Sequence, residues 1–172
     1  MVDSYVIEQI KFAVHKPLDY DKYEDTNTRQ NTNCYAHAIG STVHSDRAAY
    51  KIGVLSNSRK EEEKINSVEE LKKFFLEDMK VIELEVEELK ISKKELIGNE
   101  DTFLDINQHL VVLFAQQRSK KDKVNEFHFF RYDPVMGWTQ KRWDCKPFEF
   151  EPKISWLDYW PNVEVGIFRI TR

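Results

Sequence analysis

The chain has 172 residues, of which 41% are hydrophobic, 33% charged and 13% aromatic, and its formal net charge is -4. This balance is typical of a single folded domain, here over residues 1–172, and argues against a disordered chain. A negative net charge gives no general attraction to nucleic acid, and five glycines leave little room for a nucleotide-binding glycine loop.

The first ten residues argue against a targeting signal. They contain Asp3 and Glu8 and lack the basic and apolar stretches of a secretory leader. No stretch approaches the roughly 20 apolar residues that cross a bilayer, so we expect a cytoplasmic protein without membrane contact. Cys34 and Cys145 would permit one disulfide at most, and a chain of this length does not need it.

The N-terminal part is predicted to lead into a short buried helix. Val6–Val14 alternates loosely, which allows a strand or a short helix, and residues 24–33 are almost wholly polar, which is typical of an exposed loop. Asn33 is a helix-capping residue type, and small and apolar residues follow Cys34. A buried helix is therefore predicted from Cys34, over 34–39 with an end near Gly40 or running on towards His44.

The middle of the chain is predicted to form a second helix and an edge strand. Ser67 and Glu70 have the spacing of a capping box, and apolar residues follow at helical spacing, so a helix is predicted over 67–79. Residues 81–86 then alternate apolar and acidic side chains. That pattern predicts a half-buried strand at the edge of a sheet.

The last third is predicted to be an antiparallel sheet. Its expected strands cover 109–115, 126–132, 138–143 and 163–170, with a hairpin loop over 118–125 and a turn over 133–137. In the second strand, alternation places His128 and Phe130 on one face and Phe129 on the other. Pairing across the turn brings Gln140 or Arg142 near His128, and a slip of one residue would bring Thr139 or Lys141 instead.

These positions favour cysteine chemistry. A helix start lowers the pKa of a thiol, so Cys34 is a candidate nucleophile, and Asn33 is a candidate for binding the developing oxyanion or for positioning. His128 is the candidate general base, and Gln140 the amide that orients it. Cysteine on a helix, histidine on a strand and an amide on the next strand is the arrangement of a papain-like hydrolase.

Other uses of the same residues stay open. Cys34 is equally compatible with an inert buried cysteine, and His128 with a residue that fills the sheet. Cys34 and His37 have zinc-ligand spacing, which His128 and Cys145 would complete. A further group of residues could form an aromatic surface that binds a partner protein, or simply belong to the core: Tyr20, Tyr23, Trp138, Trp143, Trp156 and Trp160.

Three segments resemble a little-characterised group of bacterial and phage proteins. They are 33–40, beginning Asn-Cys-Tyr-Ala-His-Ala, 128–133, beginning His-Phe-Phe-Arg, and 137–141, Gly-Trp-Thr-Gln-Lys. That group carries Asn-Cys-Tyr-Ala-Tyr-Ala, His-Phe-Tyr-Arg-Gln and Gly-x-Trp-Ser-His-Lys, and it is similar to papain-like, NlpC-type cysteine peptidases. Gln140 stands where the group usually has histidine, a place at which NlpC-type peptidases accept His, Asn or Gln.

The resemblance implies an α+β, papain-like fold in which a cysteine-bearing helix packs on an antiparallel sheet, with the helix over 67–79 covering or flanking that sheet. It implies Cys34 as nucleophile, His128 as general base and Gln140 as the third residue. The expected function is hydrolysis or transfer at a peptide, isopeptide or side-chain amide bond of a protein or peptide substrate, with no cofactor and no metal. The alternative is a catalytically inactive fold that binds a protein as an effector or inhibitor.

Overall fold

A computed structural model gives the architecture of most of the chain. It describes residues 2–43, 50–60, 62–116, 123–124, 126–142, 145–149 and 163–172. The helices are α1 (Ser4–Val14), α2 (Thr26–Asn31), α3 (Cys34–Ile39), α4 (Val68–Val81) and α5 (Lys93–Leu96), with 3-10 turns η1 (Tyr20–Glu24) and η2 (Glu100–Phe103). The strands are β1 (Glu85–Glu88), β2 (Gln108–Gln116), β3 (Glu126–Asp133), β4 (Gly137–Gln140), β5 (Phe148–Glu149) and β6 (Val163–Thr171).

The described strands form an open six-stranded sheet in a mixed α+β fold. Their order is β1-β6-β2-β3-β4-β5, and each neighbouring pair is antiparallel. The antiparallel sheet predicted from the last third is therefore confirmed, and β1 is an edge strand as expected. Among the described residues, no helix is long and apolar enough to cross a membrane.

Alternation along the strands gives the sheet two differently covered faces. The α3 face, which carries Val111, Leu113, Phe129 and Phe168, packs against α1, α3 and α4. The α5 face, which carries Leu110, Val112, Phe130 and Ile167, packs against the segment around α5 and η2. The predicted division of β3 between two faces is confirmed, because Phe129 and Phe130 lie in different clusters.

Local capping signals set the ends of the two helices that the sequence predicts best. The hydroxyl of Ser67 accepts a hydrogen bond from the backbone N–H of Glu70, and α4 buries its apolar stripe against the sheet, with the Phe75 and Phe168 ring centroids 4.9 Å apart. Helix α3 begins at Cys34 as predicted and takes the shorter of the two predicted lengths, ending at Gly40, whose φ of 83° is the left-handed conformation that favours glycine.

One expectation for the N-terminal third and one for the middle need correction. Val6–Val14 belongs to helix α1, which is one of the two structures that its pattern allowed, whereas the predicted loop at 24–33 contains α2. Helix α2 begins because the Asp25 carboxylate accepts hydrogen bonds from the backbone N–H and the hydroxyl of Thr28. Helix α4 continues through Val81, so the edge strand begins at Glu85 and not at residue 81.

In the last third, most of the strand predictions are confirmed within one or two residues. The predicted 138–143 strand ends at Gln140, and β5 was not predicted because two residues carry no periodicity. Trp143 and most of the predicted hairpin loop at 118–125 lie outside the described residues.

Candidate active site

Cys34 is held at the first position of α3 by its neighbour Asn33. The Asn33 side-chain oxygen accepts the backbone N–H of Ala36 at 2.9 Å, and its amide nitrogen donates to the carbonyl of Tyr50 at 2.8 Å. Cys34 itself is half-buried and packs against the core of the α3 face. Asn33 is thus the predicted N-cap, and its amide fixes the start of the cysteine helix to the segment at Tyr50.

The prediction that the pKa of the Cys34 thiol is lowered is wrong. Burial raises the pKa of its thiol, because a low-polarity environment disfavours the thiolate. The backbone N–H groups of Phe129, Tyr35 and Cys34 and the Lys141 ammonium oppose this effect without overcoming it. In this resting state the thiol is protonated at neutral pH.

His128 projects from β3 on the α5 face. Its ring packs edge-on against Phe130, with the centroids 4.7 Å apart. Burial, with a smaller contribution from the Arg142 guanidinium, lowers the pKa of His128 to about 4, and a side-chain hydrogen bond with Gln140 opposes that fall. The imidazole is therefore neutral at pH 7, and its buried Nε2 has no hydrogen-bond partner among the described residues.

The register of β3 and β4 selects Gln140 as the neighbour of His128. Phe130 is opposite Gln140, and Arg131 is opposite Thr139, so Gln140 shares the α5 face with His128. The Gln140 side-chain oxygen also accepts a hydrogen bond from Nε of Arg142 at 3.2 Å. The structure therefore brings together two members of the predicted triad, with Arg142 beside them.

Cys34 and His128 approach β3 from opposite faces. The residue after His128, Phe129, belongs to the α3 face, where its ring lies 5.5 Å from that of Tyr35. The Cys34 thiol makes no hydrogen bond to Nε2 of the His128 imidazole. The residue types and spacing gave no information on which face of the sheet the cysteine helix would cover.

The thiol nevertheless lies at the stretch of β3 that carries His128. The backbone N–H of Phe129 is close enough to the sulfur to lower the pKa of Cys34. Strand β4 pairs with β3 only from Phe130 to Asp133, so within the described part of the chain the stretch 126–129 has no partner on the β4 side. We call this stretch the open edge of β3.

No protein-family model, curated protein or solved structure matches this chain. The chemistry of the site is therefore argued from the contacts of its own residues.

The zinc alternative is wrong for the residues that were proposed. His37 is fully buried, and its Nε2 lies 3.0 Å from the hydroxyl oxygen of Thr139, whereas His128 lies on the opposite face and Cys145 is exposed. Within the described ranges, no three His, Cys, Asp or Glu side chains converge as metal ligands. Both cysteines are free thiols.

The aromatic surface proposed for partner binding is also wrong in part. Tyr23 is 1% exposed and Trp138 is 9% exposed, and the Trp138 indole N–H donates to the Glu100 carboxylate at 2.8 Å. These two side chains belong to the core. Trp143, Trp156 and Trp160 lie outside the described residues.

The sequence did not indicate the buried polar side chains beneath α3. Arg131 and Lys141 are 0% exposed, and His37 stands between the rings of Tyr20 and Tyr23 at centroid distances of 5.9 Å. Strand alternation assigns Arg131 and Thr139 to one face, which is the available signal. Their polarity, however, made that face look solvated.

Proposed function

We propose that this chain is a papain-like (NlpC-type) cysteine hydrolase or transferase that acts on a peptide, isopeptide or side-chain amide bond. Cys34 is its nucleophile, His128 its general base and Gln140 the residue that orients His128. One observation carries the proposal: the thiol contacts the backbone of Phe129, the residue that directly follows His128, at the open edge of β3. The neutral imidazole of His128, whose buried Nε2 has no hydrogen-bond partner among the described residues, supplies the base.

The reaction begins when His128 accepts the thiol proton as the Cys34 sulfur attacks the carbonyl carbon of the scissile amide. Backbone N–H groups at the start of α3 and the second amide hydrogen of Asn33 stabilise the oxyanion. The imidazolium then protonates the leaving amine, and a thioester remains on Cys34. Water completes hydrolysis, or an amine completes transfer, with His128 again accepting a proton.

This mechanism requires one movement of a side chain. In the resting structure His128 lies on the α5 face and Cys34 on the α3 face. A rotation of His128 about its Cα–Cβ bond, around the open edge of β3, carries the imidazole towards the sulfur. Catalytic hydrogen bonds are often long or poorly aligned in resting enzymes and tighten when substrate binds.

The test offers all three bond types to the full-length chain. A proteome-derived peptide mixture and isopeptide-linked peptides are incubated with the wild type, Cys34→Ala and His128→Phe, and mass spectrometry detects new termini and altered Gln or Asn side chains. His128→Phe keeps the aromatic packing of β3 and removes the base. We expect products from the wild type, none from Cys34→Ala, and a loss of about a hundredfold in His128→Phe. Activity retained in both variants, or no wild-type activity on any bond type, contradicts the proposal.

The second candidate is a catalytically inactive papain-like fold that binds a protein. Two observations favour it: the raised pKa of the Cys34 thiol, and the placement of thiol and imidazole on opposite faces. It predicts that Cys34→Ala and His128→Phe leave the biological effect of the protein unchanged. The enzyme proposal predicts that each variant abolishes it.

A further inference from the structure

Lys141 is a buried cation beside the chain segment that leads into Cys34. Its side chain is 0% exposed, and Nζ donates hydrogen bonds to the carbonyl of Thr32 at 2.8 Å and to the carbonyl of Arg29 at 2.9 Å. These carbonyls lie at the C-terminal end of α2, where a helix leaves its acceptors unsatisfied. Thr32 directly precedes Asn33, so the ammonium is anchored two residues before the thiol.

Gln140 and Lys141 extend to opposite sides of the sheet. Gln140 reaches His128 on the α5 face, and Lys141, the next residue, reaches the end of α2 on the α3 face. Alternating side-chain directions along an extended chain explain this division. One dipeptide therefore contacts both the imidazole and the segment that positions the nucleophile.

The charge of Lys141 also acts on the sulfur. Its ammonium lowers the pKa of the Cys34 thiol, in opposition to burial, because a nearby positive charge favours the thiolate. A lysine that only filled space on this face would be replaceable by an apolar side chain.

We propose that Lys141 is a positioning residue for Cys34, which fixes the junction of α2 and α3 against β4 and keeps a positive charge beside the sulfur. The part of this proposal that concerns catalysis rests on the proposed function of Cys34 as a nucleophile. The effect of the Lys141 charge on the Cys34 thiol is independent of that function, since it requires neither His128 nor a substrate.

The test measures the rate of Cys34 alkylation by iodoacetamide as a function of pH, resolved by site with mass spectrometry. We compare the wild type with Lys141→Gln, which removes the charge, and Lys141→Arg, which keeps it. We expect Lys141→Gln to raise the midpoint of the Cys34 profile and Lys141→Arg to shift it by much less. Lys73→Gln, which removes an exposed ammonium on α4, is the control and leaves the midpoint unchanged. An unshifted midpoint in folded Lys141→Gln overturns the proposal.

A second measurement covers the case in which Lys141→Gln does not fold. In the wild type, the carbon-13 signal of the Lys141 Cε is followed through the Cys34 titration. We expect a step at the Cys34 midpoint that is absent in Cys34→Ala, and a flat signal overturns the proposal. His128→Phe separates the two claims: unchanged amide-bond cleavage in this variant, with an intact Lys141 effect on the Cys34 midpoint, refutes the enzyme and leaves this inference standing.

Discussion

At the scale of single residues, burial controls the ionisation of both proposed catalytic side chains. It raises the pKa of the Cys34 thiol and lowers that of His128 to about 4, so both groups are neutral at pH 7. The proton must therefore move during the attack on the substrate, and a preformed thiolate and imidazolium pair is absent at rest. His128 is able to accept a proton at any pH well above 4.

Replacing Gly40, the glycine that ends the cysteine helix, tests the packing between that helix end and Arg131. Gly40 and Gly98 both have positive φ, at 83° and 84°. A Cβ at Gly40 would lie 3.2 Å from Nη1 of buried Arg131, whereas a Cβ at Gly98 would meet nothing within 4 Å. We expect Gly98→Ala to lower the free energy of unfolding by about 1 kcal/mol, through backbone strain alone. Gly40→Ala should cost at least about 1 kcal/mol more, through crowding of Arg131.

Urea unfolding of the wild type and the two variants measures this difference. Equal losses of unfolding free energy in Gly40→Ala and Gly98→Ala would mean that Arg131 is not in close contact with the end of α3. The packing beneath the cysteine helix would then be looser than described.

At the scale of elements, the carboxylate of Asp78 fastens three parts of the chain together. It lies on α4 and is fully buried, and it accepts hydrogen bonds from the hydroxyl of Tyr35 at 2.9 Å, the backbone N–H of Gly53 at 2.7 Å and the backbone N–H of Ser56 at 2.8 Å. Helix α3, the 53–56 segment and α4 therefore share one acceptor. Removing it leaves several buried donors unsatisfied at once.

Asp78→Ala should lower the free energy of unfolding by about 3–5 kcal/mol, because it leaves the buried donors of Tyr35, Gly53 and Ser56 without their acceptor, at about 1–3 kcal/mol each. Tyr35→Phe is the matched control, because it removes one donor and should cost only about 1 kcal/mol. Hydrogen exchange should also show faster exchange of the Gly53 and Ser56 amides in Asp78→Ala. Comparable losses in the two variants would contradict the shared role of Asp78.

Elements with local signals were predictable from the sequence, and those without were not. Helix α4 was found because Ser67 caps it and its apolar stripe has helical spacing, and β2 and β3 were found from short apolar or alternating runs. Helix α2 was missed because its start depends on a hydrogen bond from the backbone N–H of Thr28 to the Asp25 carboxylate, within an otherwise polar segment. The predictable features are those encoded within a few neighbouring residues.

At the scale of the whole molecule, the arrangement of the site depends on non-local packing. The sequence narrowed the neighbour of His128 to Gln140 or Arg142, with Thr139 or Lys141 after a slip, and the observed register of β3 and β4 selects Gln140. It did not show that α3 would cover the face of the sheet opposite to His128, since α3 and β3 are joined by about 90 residues of intervening chain. A buried helix and a lowered thiol pKa were predicted together, but the burial of Cys34 outweighs the helix start and raises the pKa of the thiol.

Two buried histidines predict that acid destabilises the fold. His37 and His109 are 0% exposed, and burial lowers the pKa of both well below the ordinary value. Below about pH 6.5 the unfolded chain binds protons at these side chains and the folded chain does not, so stability falls as pH falls. We expect the protonation of each histidine in the unfolded chain to lower the free energy of unfolding by about 2 kcal/mol between pH 7 and pH 5.

His109→Gln tests this dependence. The Nε2 of His109 lies 3.0 Å from the carbonyl of Ala38, and a glutamine amide can donate to the same oxygen without titrating. The loss of stability between pH 7 and pH 5, measured by urea unfolding, should shrink in the variant by about 2 kcal/mol. An identical dependence of stability on pH in the wild type and the variant would show that the pKa of His109 is not lowered in the folded chain.

The central claim is that Cys34 and His128 act on one another around the open edge of β3. The most direct measurement is the site-resolved rate of iodoacetamide alkylation of Cys34 between pH 5.5 and 8, in the wild type and in His128→Phe. Exposed Cys145 is the internal control in each sample. A base whose pKa is about 4 is available throughout this range, so we predict that His128→Phe slows Cys34 by at least about tenfold and leaves Cys145 unchanged. Equal Cys34 rates in the two proteins at every pH would contradict the account.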